Sequence, residues 1–258
     1  MEHKFCSEHW MSTLVSNPLR FFLLCTRCPA HFVTAFVLAS LGAFFTLPAG
    51  AAAITWTNAS NGSWSLAANW SPNAVPGAAD DVFITNSGTY TVTMDISPTI
   101  ASFTLGGVSG VQTLTNTSKT MTLSLGSVVN SNGVLGVSAG TLAGLGSLDI
   151  YGMFHWNGGS SGNGFSVTVH SSAVLKLQTG TTFSGGLTNL GTMNWLAGNL
   201  NINTNGPSAT GTIWNQAGAV FDIQCDAVVA NAAVVATFHN VGLVRKRITA
   251  GITTFTRF

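Results

Sequence analysis

From residue 82 onward, apolar and polar side chains alternate in short runs separated by Gly and Asn. The recurring unit is an apolar, polar, apolar triplet: Phe103-Thr104-Leu105, Leu123-Ser124-Leu125, Leu148-Asp149-Ile150, Val167-Thr168-Val169, Leu175-Lys176-Leu177, Leu200-Asn201-Ile202 and Phe221-Asp222-Ile223. Successive side chains of a strand point to opposite faces, so each triplet sends two side chains into a core and its polar centre to solvent. The centres step by 20, 25, 19, 8, 25 and 21 residues. A step of 8 fits two strands of one turn, and the others fit a coil of roughly 20 to 25 residues, within the range of solenoid repeats. Leu105-Gly106, Leu125-Gly126 and Leu145-Gly146, together with Asn189, Asn215 and Asn240, recur at similar intervals. Gly and Asn adopt left-handed backbone angles at low cost and so mark corners. The pattern predicts an all-β parallel solenoid. A β-sandwich would need many tight hairpins, and Asn-Gly pairs suited to them are few, at "NGSW" and "SNGVL".

The first 53 residues break this pattern. Lys4, Arg20 and Arg27 precede an uncharged apolar run from Phe32 to Leu47, and Ala51-x-Ala53 follows. That order reads as a secretory signal with an extended basic front, with Met1 or Met11 as its start and cleavage near Ala53. Extended through "PAGAAA", the same run could serve instead as an uncleaved anchor. The organisation expected is therefore a signal segment at 1–53, a Trp-rich solenoid cap at 54–84 and a β-helix body at 85–258.

Removing the leader takes Cys6, Cys25 and Cys28 with it and leaves Cys225 alone. Cys25-x-x-Cys28 has redox or metal spacing but no partner pair. Without an internal disulfide, packing and hydrogen bonds must hold the fold, which suits a bacterial exported protein. Charged residues are only 7% of the chain against 46% hydrophobic, a balance that favours strands and turns and excludes disorder.

Trp56, Gly62-x-Trp64, Asn69-Trp70, Pro76-Gly77 and Asp80-Asp81, followed by "TYTV", resemble the opening module of bacterial exported β-helix proteins, including autotransporter passengers and related surface proteins. "GTMNWLAGNL" and "FHNVGLVRK" resemble the body repeats of that group. The resemblance implies a right-handed parallel β-helix of pectin-lyase-like fold and a secreted or cell-surface location. Trp56, Trp64 and Trp70 are read as an aromatic cap that closes the first coil, in preference to a sugar-stacking surface. Asp80 and Asp81 are expected to serve turn hydrogen bonds ahead of "VFI".

The six acids after the leader are Asp80, Asp81, Asp95, Asp149, Asp222 and Asp226. Glycosidic cleavage needs two carboxylates roughly 5 to 9.5 Å apart. Asp149 and Asp222, read as equivalent outward positions, fall about three coils or roughly 14 Å apart. Asp222 and Asp226 meet only if Cys225 sits at a bend. His155, His170 and His239 show neither metal-ligand spacing nor a carboxylate close in sequence, so no metal or cofactor is expected. Arg245-Lys246-Arg247 is read as a solvated positive strand face, and nucleic acid is not expected as a partner.

The function expected is a noncatalytic exported surface, structural or adhesive β-helix module. The alternative is a carbohydrate-active β-helix enzyme or glycan-binding module that uses the loop 151–164, with Tyr151, His155 and Trp156 as glycan contacts. Partners expected are extracellular glycans or neighbouring surface proteins, with membrane contact only through the leader. Apolar residues in 238–258 without a polar cap raise two further expectations: a longer gene product, or end-to-end self-association opposed by the Arg245, Lys246 and Arg247 charges.

Overall fold

The computed structural model describes residues 51–203, 211–231 and 237–256, all within one compact unit. The basic front and apolar run of the leader lie outside these residues.

Three sheets of 10, 9 and 8 strands, here A, B and C, enclose one core. From Ser102 onward the chain visits A, B and C in turn, and each strand pairs in parallel with its counterpart one coil earlier. One coil advances 19 residues from Ser147 to Ser166, 21 from Met153 to Val174 and 26 from Gly186 to Thr212, as the period implies. The chain is a parallel β-solenoid.

Alternation within each strand supplies the core. Ser147–Ile150 buries Leu148 and Ile150 and turns Ser147 and Asp149 outward. Parallel in-register pairing then stacks like on like, so Leu148, Val167, Leu187 and Ile213 form one inward column in sheet A. Phe154, Leu175, Met193 and Phe221 form another in sheet B.

The triplets belong to different sheets and do not form one ladder: Leu148 and Val167 lie in sheet A, Leu175 and Phe221 in B, and Leu123 and Leu200 in C. Leu123-Ser124-Leu125 is not a strand triplet, because its strand, Thr120–Leu123, ends at its first residue and Leu125 is exposed. The Leu-Gly pairs also mark two corners. Gly106 follows the sheet A strand Ser102–Leu105, whereas Gly126 and Gly146 precede the sheet A strands Ser127–Val129 and Ser147–Ile150.

Asn189, Asn215 and Asn240 end three consecutive strands of sheet A and pair in register. Asn189 Nδ2 donates to Asn215 Oδ1 at 2.8 Å, and Asn215 Nδ2 donates to Asn240 Oδ1 at 2.6 Å. Asn189 and Asn215 are buried, and each also donates to a backbone carbonyl, Val220 O and Leu243 O respectively. The ladder satisfies amides that would otherwise cost about 1 to 3 kcal/mol each.

At the start of the solenoid, Ala53–Trp56 pairs in parallel with Asp81–Ile84 on one edge and antiparallel with Trp70–Ser71 on the other. Trp56, Trp64 and Trp70 are buried, with ring centroids 4.9 Å apart for Trp56–Trp70 and for Trp64–Trp70. They have no surface on which a sugar could stack. Pairing begins inside the expected leader: Ala53 pairs with Asp81, and the Ala52 carbonyl accepts the Asp81 N–H at 2.9 Å. Asp80 Oδ2 accepts the Gly77 N–H at 2.7 Å, the turn role expected of it, whereas Asp81 opens the strand Asp81–Ile84 and its Oδ1 accepts the hydroxyl of Ser102, its neighbour one coil on, so it makes a cross-strand bond and not a turn bond.

The last described coil runs through Thr237–Asn240, Leu243–Lys246 and Thr254–Phe255. Phe238 and Val244 pack against the core, while Val241, Leu243, Ile248 and Ile252 are exposed.

Candidate functional site

Coil stacking assembles a cluster that chain order conceals. The Tyr151 N–H donates to Val129 O at 2.7 Å, and the His170 N–H donates to Ile150 O at 2.8 Å. Tyr151 and His170 therefore occupy equivalent positions in successive coils, just past sheet A. Their rings stack with centroids 3.9 Å apart and planes 10° apart. Asp149 projects outward near the end of its sheet A strand, Ser147–Ile150, and its Oδ1 lies 2.8 Å from His170 Nε2. A carboxylate thus fixes the imidazole, and the imidazole backs the phenol ring.

Two cavities of about 660 and 370 Å³ open on this corner and share Ser131, Tyr151 and Ser172. The larger extends over Gly106 and Gly107, whose missing side chains leave the wall low there. Glycine at 107 is forced by the backbone, since a Cβ would lie 2.0 Å from Thr85 O. Asn130 Nδ2 donates to Gly106 O at 2.8 Å and Asn132 Nδ2 to Gly107 O at 2.9 Å, which orients both side chains at the rim. The smaller cavity reaches Val134, Met153 and Val174 on the outer face of sheet B.

Of the three residues expected to contact glycan, only Tyr151 lines these cavities; it is 42% exposed. Trp156 is fully buried, stacked on Phe154 and edge-on to Phe183, because the Met153–Trp156 strand turns Phe154 and Trp156 inward. His155 faces outward from that strand in contact with Met153 Sδ, and burial, followed by the Lys176 charge, lowers its pKa. Sequence reading missed the Asp149–His170 pair because the two residues lie 21 apart in the chain. In sheet A that is one coil of 19 residues plus two positions along the chain, since Asp149 pairs with Thr168, so the repeat period was the available signal. A second stack, Trp214 on His239, has centroids 3.8 Å apart on exposed residues of sheet A.

The remaining acids take structural partners. Asp149 and Asp222 are not equivalent positions, for they lie in sheets A and B. Asp222 is also not solvated: its side chain is 1% exposed beneath Arg245 and Arg247, whose own side chains are about half exposed. Arg245 Nε lies 3.0 Å from Asp222 Oδ1, and Arg247 approaches Oδ2 at 2.6 Å. Burial pushes this carboxyl up, but hydrogen bonds from Arg247, Arg245 and Gln224 outweigh it and hold the pKa at about 2. Lys246 pairs with Asp226. The basic triplet is thus an ion-paired structural cluster and not the free positive face expected. Cys225 is buried, and burial raises its thiol pKa. Among the described residues no group of three His, Cys, Asp or Glu side chains could hold a metal ion. Comparison with protein-family models, with curated proteins and with solved structures finds no match to this chain.

Proposed function

We propose that this chain is an exported, noncatalytic structural module of a cell surface or extracellular assembly, akin to the autotransporter passengers and surface β-helix proteins that its opening motifs resemble. The observation that carries the reading is the unbroken parallel pairing of three sheets from Ser102 to the last described coil. Such a stack presents a long regular surface whose backbone groups are already paired, a form suited to spacing and display. The outward column of sheet C is hydroxyl and amide at Thr141, Ser160, Thr182 and Asn201, and sheet A adds Thr168 and Thr188. Within this reading, a second copy of the chain stacks on the last described coil, where the inward-facing Phe238, Val244 and Phe255 are less covered than Ile213, Phe221 and Val229 one coil earlier and the Asn189–Asn215–Asn240 ladder could continue.

Fractionation of bacteria expressing the full chain, with N-terminal sequencing of the surface and medium fractions, tests the proposal. Material beginning between Ala52 and Ile54 is expected. A full-length cytosolic chain would overturn export, and steady cleavage of a polysaccharide by the purified protein would overturn the noncatalytic role.

A further inference from the structure

We propose that the groove at the corner between sheets A and B binds a neutral glycan, with Tyr151 as its stacking surface. The site goes beyond the structural role and does not depend on export, so the two readings fail separately.

No charged side chain lines either cavity, and the nearest carboxylate, Asp149, is engaged by His170. A polyuronate or sulfated chain would have to desolvate its charges there with no cation to meet them, which is unfavourable. A neutral sugar meets no such cost. Its C–H face carries slight positive charge and suits the negative face of an aromatic ring. Tyr151 offers such a face on one side only, because His170 covers the other at 3.9 Å. The Asp149–His170 contact holds that backing ring in place, so the phenol is braced before a ligand arrives.

Hydroxyls of the sugar need partners around the ring, and Asn130, Ser131 and Ser172 supply amide and hydroxyl groups along the same groove. Both Ser131 and Ser172 are exposed. The cavity volumes of about 660 and 370 Å³ fall in the range of small-ligand sites. Because the cavities adjoin through Tyr151, Ser131 and Ser172, the groove takes a short run of linked sugars rather than one. The apolar wall of Val134, Met153 and Val174 then receives the C–H face of a neighbouring unit.

The chain has two tyrosines, and the other, Tyr90, is buried. Ring-labelled tyrosine therefore gives two NMR signals, one of which reports the site. The intact chain is titrated with hexamers of β-1,4-linked glucose, mannose and N-acetylglucosamine, and with polygalacturonate. The expected result is that at least one neutral hexamer binds and moves the Tyr151 signal while Tyr90 stays fixed. Tyr151→Ala should weaken that binding about tenfold or more, and Tyr151→Phe should stay within about threefold, since stacking uses the ring and not the hydroxyl. Ser131→Arg, an exposed substitution that fills the shared part of the groove, should also abolish binding. Three results would overturn the proposal: no neutral hexamer binds, only polygalacturonate binds, or binding survives both Tyr151→Ala and Ser131→Arg.

Discussion

Replacing Asp222 by Asn should loosen the last two coils at neutral pH and have almost no effect in strong acid. The Asp222 carboxyl ordinarily titrates at 3.8 and is held at about 2 in the fold, a difference equivalent to about 2 kcal/mol. A lowered folded pKa gives stability that is fully present above the unfolded value and lost as pH falls through the folded one. The window therefore runs from about pH 4 down to about pH 2. The cost should stay below the roughly 3 to 5 kcal/mol of a fully buried broken pair, because the half-exposed Arg245 and Arg247 can rehydrate. Each coil of a solenoid touches only its neighbours, so the loss should remain local. Amide hydrogen exchange resolves this. Segments Val220–Ile223 and Leu243–Lys246 should open about 30-fold more often in Asp222→Asn at pH 6, while Ser147–Ile150 serves as an internal reference. The difference between variant and native chain should vanish below about pH 2; Asp226, present in both, cancels. An equal difference at both pH values, or none at pH 6, would show that the arginines do not hold this carboxylate.

Leu200→Asp places a charge in the core of sheet C and should cost several kcal/mol, whereas Asn201→Asp on the outer face should change the melting temperature little; equal losses in a thermal melt would contradict the register. Trp64→Ala should cost about 3 to 5 kcal/mol in denaturant unfolding, because its ring is fully buried against Trp70; an unchanged midpoint would mean that the first coil contributes little to folding.

The period-2 alternation and the coil length were legible because a parallel solenoid repeats one local rule many times, so errors at single positions average out. Sheet assignment was not legible. Leu148, Leu200 and Phe221 carry the same local pattern, and which sheet each joins depends on corner lengths that vary from coil to coil. The site suffered from the same gap. Asp149 and His170 meet only through stacking, and Asp222 lies beneath Arg245 and Arg247, which stand beside it one coil on. Trp156 differs: the alternation in "MFHW" left open which two residues face inward, and aromatic character beside a flexible loop drew the wrong choice. Asp80 was read correctly because its partner Gly77 lies three residues away in the same turn, whereas the partner of Asp81, Ser102, lies one coil on and was hidden like the others.

Between Asp95 and Asp222 the chain carries three charged side chains, Lys119, Asp149 and Lys176. At neutral pH, ionic strength therefore acts on the described coils mainly towards the two ends of the stack, and the stretch between is close to an electrical spacer. Duplicating an uncharged coil such as residues 120–140 would lengthen the molecule by about 4.8 Å and barely move its isoelectric point. Reach and charge are thus separable quantities here, and mutation can change one while leaving the other alone.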